Sequence, residues 1–145
     1  MIDTFPRQHA RTQRFTLGEP RNVTVSPDGQ RVVFVRSTTG SDPVNSLWVL
    51  DVGTGDERMV ADPRALLDTG EDHSDLPPEE RARRERAREG AGGITAHATD
   101  ANGTVVAFAL AGRLFAGGLL SGRAREIPVD GPVFDPRPAP DASRL

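Results

Sequence analysis

Apolar and polar residues alternate along this chain in short runs, and each run stops at a turn signal. In "VTVSPDGQRVVFV", residues 23–35, two period-two segments flank Pro27-Asp28-Gly29. Proline presets φ, aspartate bonds its local backbone and glycine accepts positive φ, so the stretch predicts a hairpin. "HATDANGTVVAFAL", residues 97–110, repeats the pattern around Asn102-Gly103, and "FDPRPAPDASRL" begins it a third time at Pro140-Asp141. A second kind of unit follows each complete hairpin. "LWVLDVGTGDERMV" starts at Leu47 and "LFAGGLLSGRAREI" at Leu114. Aligned without gaps, Trp48 meets Phe115, Thr54-Gly55 meets Ser121-Gly122, and Val60 meets Ile127. Both units read as strand–turn–strand.

Each repeat is therefore four strands, in the first case "NVTVS", "RVVFV", "SLWVLDV" and "ERMV". Gly103 and Ala142, at equivalent turn positions, lie 39 residues apart. Four-stranded units of about 40 residues are the signature of a β-propeller blade. A small antiparallel sandwich also uses short strands and frequent turns, but it does not explain the order of the repeats. The expected fold is all-β. It is a partial β-propeller of two four-stranded antiparallel blades and the start of a third, with one charged helical insert. Blade 1 spans about 20–60, the insert 61–93, blade 2 about 94–130, and the next blade begins over 131–145. A closed ring needs about four to eight blades, and two blades leave apolar strand faces uncovered. The chain is thus expected to be the N-terminal part of a longer protein, or to close its ring by association with further copies.

The insert is the one segment with helical character. Ser74 or Asp75 can cap it, Pro77 and Pro78 suit its first turn, Glu79 and Glu80 suit its positive end, and Gly90 stops it. The stretch "EERARRERARE", residues 79–89, holds five arginines and four glutamates. It has no apolar stripe, so it is not a core element and belongs over water, a cavity or another domain. Glu80–Arg84 and Arg84–Arg88 are i,i+4 neighbours, which puts Arg84 and Arg88 on one face. Such a face can be solvated surface. It can also offer a planar donor fork to a ligand carbonyl or carboxylate.

Composition narrows the function classes. The formal charge is −3, which gives no field attracting nucleic acid or an anionic membrane. Aromatic residues are 5%, too few to build a base-stacking platform beside the arginines. There is no cysteine, which excludes disulfide and thiolate chemistry. No run is long enough to span a membrane as a helix, and the first twenty residues lack the apolar core of a signal peptide. The expected setting is cytoplasmic. Catalytic signals are missing. No G-x-S-x-G elbow is present, "GLLSG" at 118–122 has the wrong spacing, and His9, His73 and His97 show neither a metal-ligand spacing nor a partner serine. No metal and no cofactor is expected, and His97 reads as an ordinary strand residue.

"PRQHARTQRFTLGEPRNVTVSPDGQRVVFVRS", "SLWVLDVGTGDERMV" and above all "LPPEERARRERAREGAGGI" resemble the opening of the propeller domain in bacterial dipeptidyl peptidase IV-type enzymes of the prolyl oligopeptidase family. The resemblance implies a serine peptidase in which an N-terminal propeller caps a C-terminal α/β-hydrolase domain and admits only short peptides. It implies a peptide substrate, a catalytic domain not contained in these 145 residues, and no activity of the chain alone. It leaves dipeptidyl peptidase, oligopeptidase and acyl-aminoacyl peptidase open. In the dipeptidyl peptidases an arginine of the insert approaches the substrate's second carbonyl. Here Arg84, Arg86 and Arg88 fall in the matching segment, and Arg88 is favoured over Arg84. The family's paired glutamates lie further along the propeller, so Glu79 and Glu80 are expected to be first-turn acids only. The alternative from another class is a non-catalytic propeller-like binding or scaffold module that closes by oligomerisation. Two departures from the repeat stand out. Gly117-Gly118 replaces the Leu-Asp of blade 1, which should weaken that strand. Ala142 replaces a turn glycine, where alanine is poorly suited to positive φ.

Overall fold

The alternating runs become two antiparallel sheets in the computed structural model, which describes residues 3–68 and 92–145. The first sheet holds β1 (Arg21–Val25), β2 (Arg31–Ser37), β3 (Asn45–Asp51) and β4 (Glu57–Ala61), paired in chain order. The second holds β5 (Ala98–Thr99), β6 (Val105–Leu110), β7 (Arg113–Gly118) and β8 (Arg123–Ile127), again in chain order. Two short helices, α1 (Phe5–Arg11) and α2 (Pro63–Asp68), lie outside the sheets. Each sheet is thus a four-stranded meander, the construction of a propeller blade. The charged helix expected at 75–90 lies outside the described residues.

The repeat is reproduced down to single hydrogen bonds. In the first turn the Ser26 N–H donates to the Arg31 carbonyl (2.9 Å) and the Gly29 N–H to the Ser26 carbonyl (2.8 Å). In the second, Asp100 N–H bonds Val105 (3.1 Å) and Gly103 N–H bonds Asp100 (3.1 Å). The residue that opens each turn adds a side-chain acceptor. Ser26 Oγ accepts the Arg31 N–H at 3.0 Å, and Asp100 Oδ1 accepts the Thr104 and Val105 N–H groups at 2.7 and 2.8 Å. Burial pushes the Asp100 carboxyl upward, and these N–H bonds with the Thr104 hydroxyl outweigh it, leaving the group below its ordinary range.

No strand forms between 131 and 145, so the expected third blade is present only as its turn. That turn is complete. Ala139 N–H bonds Arg144 (2.7 Å) and Ala142 N–H bonds Ala139 (2.8 Å), the same pair of bonds as before. Ala142 takes φ +58°, beside +69° for Gly29 and +64° for Gly103. The backbone geometry is therefore kept, at the steric cost that an L-residue carries there. The three turns also stand side by side. A side chain at Gly103 would meet the Ser26 Cβ at 2.9 Å, and the Ala101 N–H donates to the Pro140 carbonyl at 3.0 Å.

One core joins the two sheets. From blade 1 it takes Val33, Val35, Leu47, Val49 and Val60, and from blade 2 Val106, Phe108, Leu110 and Phe115. Register explains the division. Val33 pairs with Val49 and Val35 with Leu47, so these four share one face of blade 1. Phe108 pairs with Phe115, and their rings stack at 5.6 Å. Those phenylalanines occupy the positions held in blade 1 by Phe34 and Trp48, which lie on the opposite face. One face of blade 1 therefore meets the other face of blade 2, the repeating step of a propeller. On blade 1's remaining face Arg36 stacks 4.6 Å from the Trp48 ring centroid and pairs with Glu57 at 2.6 Å.

Gly117 corrects the expectation of a weakened strand. A Cβ there would sit 2.5 Å from the Arg123 carbonyl oxygen and 2.8 Å from the Ala124 Cα. The glycine lets β7 and β8 approach closely, and β7 runs on through Gly118.

Candidate functional site

Arg84 and Arg88, the arginines singled out for substrate contact, lie outside the described residues, as do Arg86, Glu79, Glu80 and His73. The described chain on either side of them is well placed. One flank attaches to the loop between β2 and β3, the other to the first residue of β3. On the leading side, Arg64 of α2 grips Asp42 with both terminal nitrogens, at 3.1 and 2.9 Å. The Arg64 guanidinium first, and the Val44 N–H with it, hold the Asp42 carboxyl below its usual range. On the returning side, the Asn45 N–H donates to the Gly92 carbonyl (2.8 Å) and the Ile94 N–H to the Asn45 carbonyl (2.9 Å). Gly93, at φ +74°, makes that approach possible, because a side chain on it would meet the Asn45 backbone oxygen and stand 2.8 Å from its nitrogen. Ile94 is fully buried just beyond.

A cleft of about 470 Å³ opens beside this double attachment. Gln13, Thr16, Glu19 and Arg21 line it from the N-terminal segment, and Asn45 and Gly92 from the attachment itself. Leu17 and Pro43 add apolar surface to a mixed wall, and Glu19 and Arg21 pair at 3.6 Å across its edge. Its shape depends on an unusual turn. After α1 the chain holds Gln13, Arg14 and Phe15 at φ +47°, +65° and +60°. The Thr12 hydroxyl steadies this turn, donating to the Gln8 carbonyl (2.7 Å) and accepting the Phe15 N–H (2.9 Å). Consecutive non-glycine residues in the left-handed region are costly, and such strain gathers at ligand and switch sites. The cleft offers both donors and acceptors and suits a polar, hydrogen-bonding ligand. Nothing in the sequence pattern marks it, since glutamine, arginine and phenylalanine carry no turn signal.

The described serines and histidines form no nucleophile–base pair. Ser26 Oγ bonds Asp28 at 2.5 Å, Ser37 the Thr39 carbonyl at 2.9 Å, and Ser143 Asp141 at 2.6 Å. His9 packs between Phe5 and Phe15, with ring centroids 5.7 and 6.0 Å away. His97 stands just ahead of β5 rather than in a strand. It borders a small crevice with Phe108, Asp135 and Pro136. Its ring nitrogens are buried without a hydrogen-bond partner, and burial drives its pKa down to about 4. Among the described residues no cluster of three His, Asp or Glu side chains is placed to hold a metal.

One contact ties the blades together at their outer rim. Arg58 of β4 donates from Nη2 to the carbonyl of Leu119, in the turn between β7 and β8. Its guanidinium lies directly on Gly122, at φ +74°, where any side chain would displace it.

No known family profile matches the sequence. Among solved structures, TolB from Acinetobacter baumannii, a β-propeller protein, is similar over 86% of this chain and 25% of its own, with a TM-score of 0.51 and 12% identity. A chain of a nidogen/laminin complex matches over 88% of this chain and 38% of its own, with a TM-score of 0.46 and 11% identity. The chain spans about a quarter of the length of the TolB structure, and the likeness is one of fold: two successive blades of a β-propeller.

Proposed function

We propose that the chain supplies the first blades of the propeller cap of a dipeptidyl peptidase IV-type serine peptidase, a part that admits and positions short peptides and is inactive alone. The observation that supports this reading best is the double attachment. The described residues on the two sides of the arginine-rich segment, Arg64 before it and Gly92 to Ile94 after it, all bond to the stretch Asp42 to Asn45, beside a cleft. An insert held in this way needs no apolar face of its own. In the whole enzyme Arg88, or else Arg84, would present its donor fork to a carbonyl of the bound peptide. The nucleophile, its histidine and the bond specificity would belong to a hydrolase domain in the same cytoplasmic polypeptide.

The experiment is to read the coding frame past Leu145 and express its whole product with a dipeptidyl anilide as substrate. The expected product carries a G-x-S-x-G elbow and cleaves the anilide. Arg88→Ala should then lower turnover about tenfold or more, in line with the loss of one charge-assisted hydrogen bond, with thermal stability unchanged. A frame without that elbow, or an enzyme indifferent to both Arg88→Ala and Arg84→Ala, overturns the reading.

The second reading is a non-catalytic propeller-like module that binds or scaffolds a partner. The likeness in fold to TolB supports it, as do the large apolar residues left exposed, Val52 and Leu120 in the blade turns and Phe134 after β8 among them.

A further inference from the structure

The Arg58 clasp has two halves, and the repeat supplies both halves twice. One half is an arginine on the last strand of a blade. The other is a turn between the third and fourth strands, made of an apolar residue and a glycine at positive φ. Between the blades the halves are joined, Arg58 from blade 1 to Leu119 and Gly122 of blade 2. Among the described residues the remaining halves are uncovered. Arg125 is the counterpart of Arg58. It faces Ala116 across the β7–β8 pair as Arg58 faces Val49 across β3–β4. Arg125 is exposed and has no side-chain partner among the described residues. The counterparts of Leu119 and Gly122 are Val52 and Gly55.

The two turns match closely in shape. Gly55 stands at φ +75° and Gly122 at +74°. Gly55 N–H donates to the Asp51 carbonyl at 2.8 Å, and Gly122 N–H to Gly118 at 3.0 Å. Val52 N–H bonds Gln30 at 2.9 Å, and Leu119 N–H bonds Thr104 at 2.9 Å. Only their surroundings differ. Leu119 is wholly buried, whereas Val52 is 50% exposed, and the space over Gly55 is open.

We infer that the free halves are a head-to-tail docking surface for a second copy of this chain, Arg125 of one copy seating on the Val52–Gly55 turn of the next. The occupant follows from complementarity within the molecule. The surface that Arg125 needs is a turn of this geometry with an uncovered glycine, and the chain itself presents one. The contact is heterologous, so each copy keeps one unused half until a ring closes. It rests on the second reading, in which the ring closes by association of copies; in the first reading the next blade of the same polypeptide takes these halves.

The test uses the 145-residue chain in sedimentation equilibrium, with circular dichroism to verify folding. The native chain should associate as concentration rises. Arg125→Glu removes one half and Gly55→Ala, whose methyl group stands where the guanidinium would lie, removes the other, and each variant alone should remain monomeric. Their equimolar mixture should form a dimer and nothing larger, because one intact pair of halves survives. Arg123→Glu, on the same strand, should associate like the native chain. Arg125→Gln serves as the milder substitution if the charge reversal disturbs folding. A native chain that stays monomeric, an Arg125 variant that still associates, an Arg123→Glu chain that does not, or a mixture that fails to dimerise overturns the inference.

Discussion

Arg58 reaches from the last strand of blade 1 to the carbonyl of Leu119, 61 residues further along the chain, and its guanidinium covers Gly122. The Leu119 carbonyl belongs to a fully buried residue, so losing its charged donor leaves an acceptor without a partner. Arg58→Ala should therefore lower unfolding stability by about 1–3 kcal/mol. Gly122→Ala and Gly55→Ala form the controlled comparison. Both impose alanine on a left-handed backbone, at about 1 kcal/mol each. Only Gly122→Ala also displaces Arg58. Urea titration should show it to be the more destabilising by the cost of the clasp, and equal losses would remove the clasp as a source of stability.

The return of the chain at Gly93 offers a sharper loss. A methyl group there runs into the Asn45 backbone, which cannot move without breaking β3. Gly93→Ala should cost about 3 kcal/mol, from left-handed strain and two lost backbone hydrogen bonds. Hydrogen exchange should speed up at the Ile94 amide while the Phe108 amide keeps its protection.

Ala142 carries the opposite expectation. Glycine at this position removes the strain of φ +58° and gives back part of the gain through a freer unfolded chain. The net effect of Ala142→Gly should be a stabilisation of about 0.5 kcal/mol. It is read most directly as slower exchange of the Ala139 amide, which donates to Arg144.

His97 sets a pH dependence. Its folded pKa, about 4, lies below the ordinary 6.5 because burial disfavours the imidazolium. The unfolded chain therefore binds more protons between these values, and stability falls as pH drops through that window. The loss is absent above about pH 6.5 and complete near pH 4, on the order of 3 kcal/mol. His97→Phe should flatten the stability profile between pH 7 and pH 4. An unchanged profile would mean that the ring is hydrated in solution.

Much of the fold was legible in the sequence because its turns are built locally. Pro27-Asp28-Gly29 and Asn102-Gly103 bring their own φ preferences, Ser26 and Asp100 ahead of them supply side-chain acceptors, and period-two runs beside them have one reasonable pairing. The site was less legible. The bend at Gln13, Arg14 and Phe15 is held by local bonds to Ala10, His9 and the Thr12 hydroxyl, not by residue preference. The FPRQHAR helix buries none of its residues, so it left no apolar stripe to read. Gly117 looked like a defect because its reason is the backbone of the neighbouring strand. The burial of His97 depends on Asp135 and Pro136, far along the chain. The arginines of the insert were legible as chemistry, and the described fold adds where their segment is fastened.

The chain-order pairing within each sheet has a kinetic consequence. Every strand pairs with its neighbour in sequence, so each blade can assemble from successive hairpins with short loops to close. Contacts between blades need loops several times longer and form afterwards. The Arg58 clasp then belongs to the late part of folding, where its removal would hasten unfolding and leave the folding rate nearly untouched. Each meander is a unit of assembly, and the rim arginine sets how long two of them stay together.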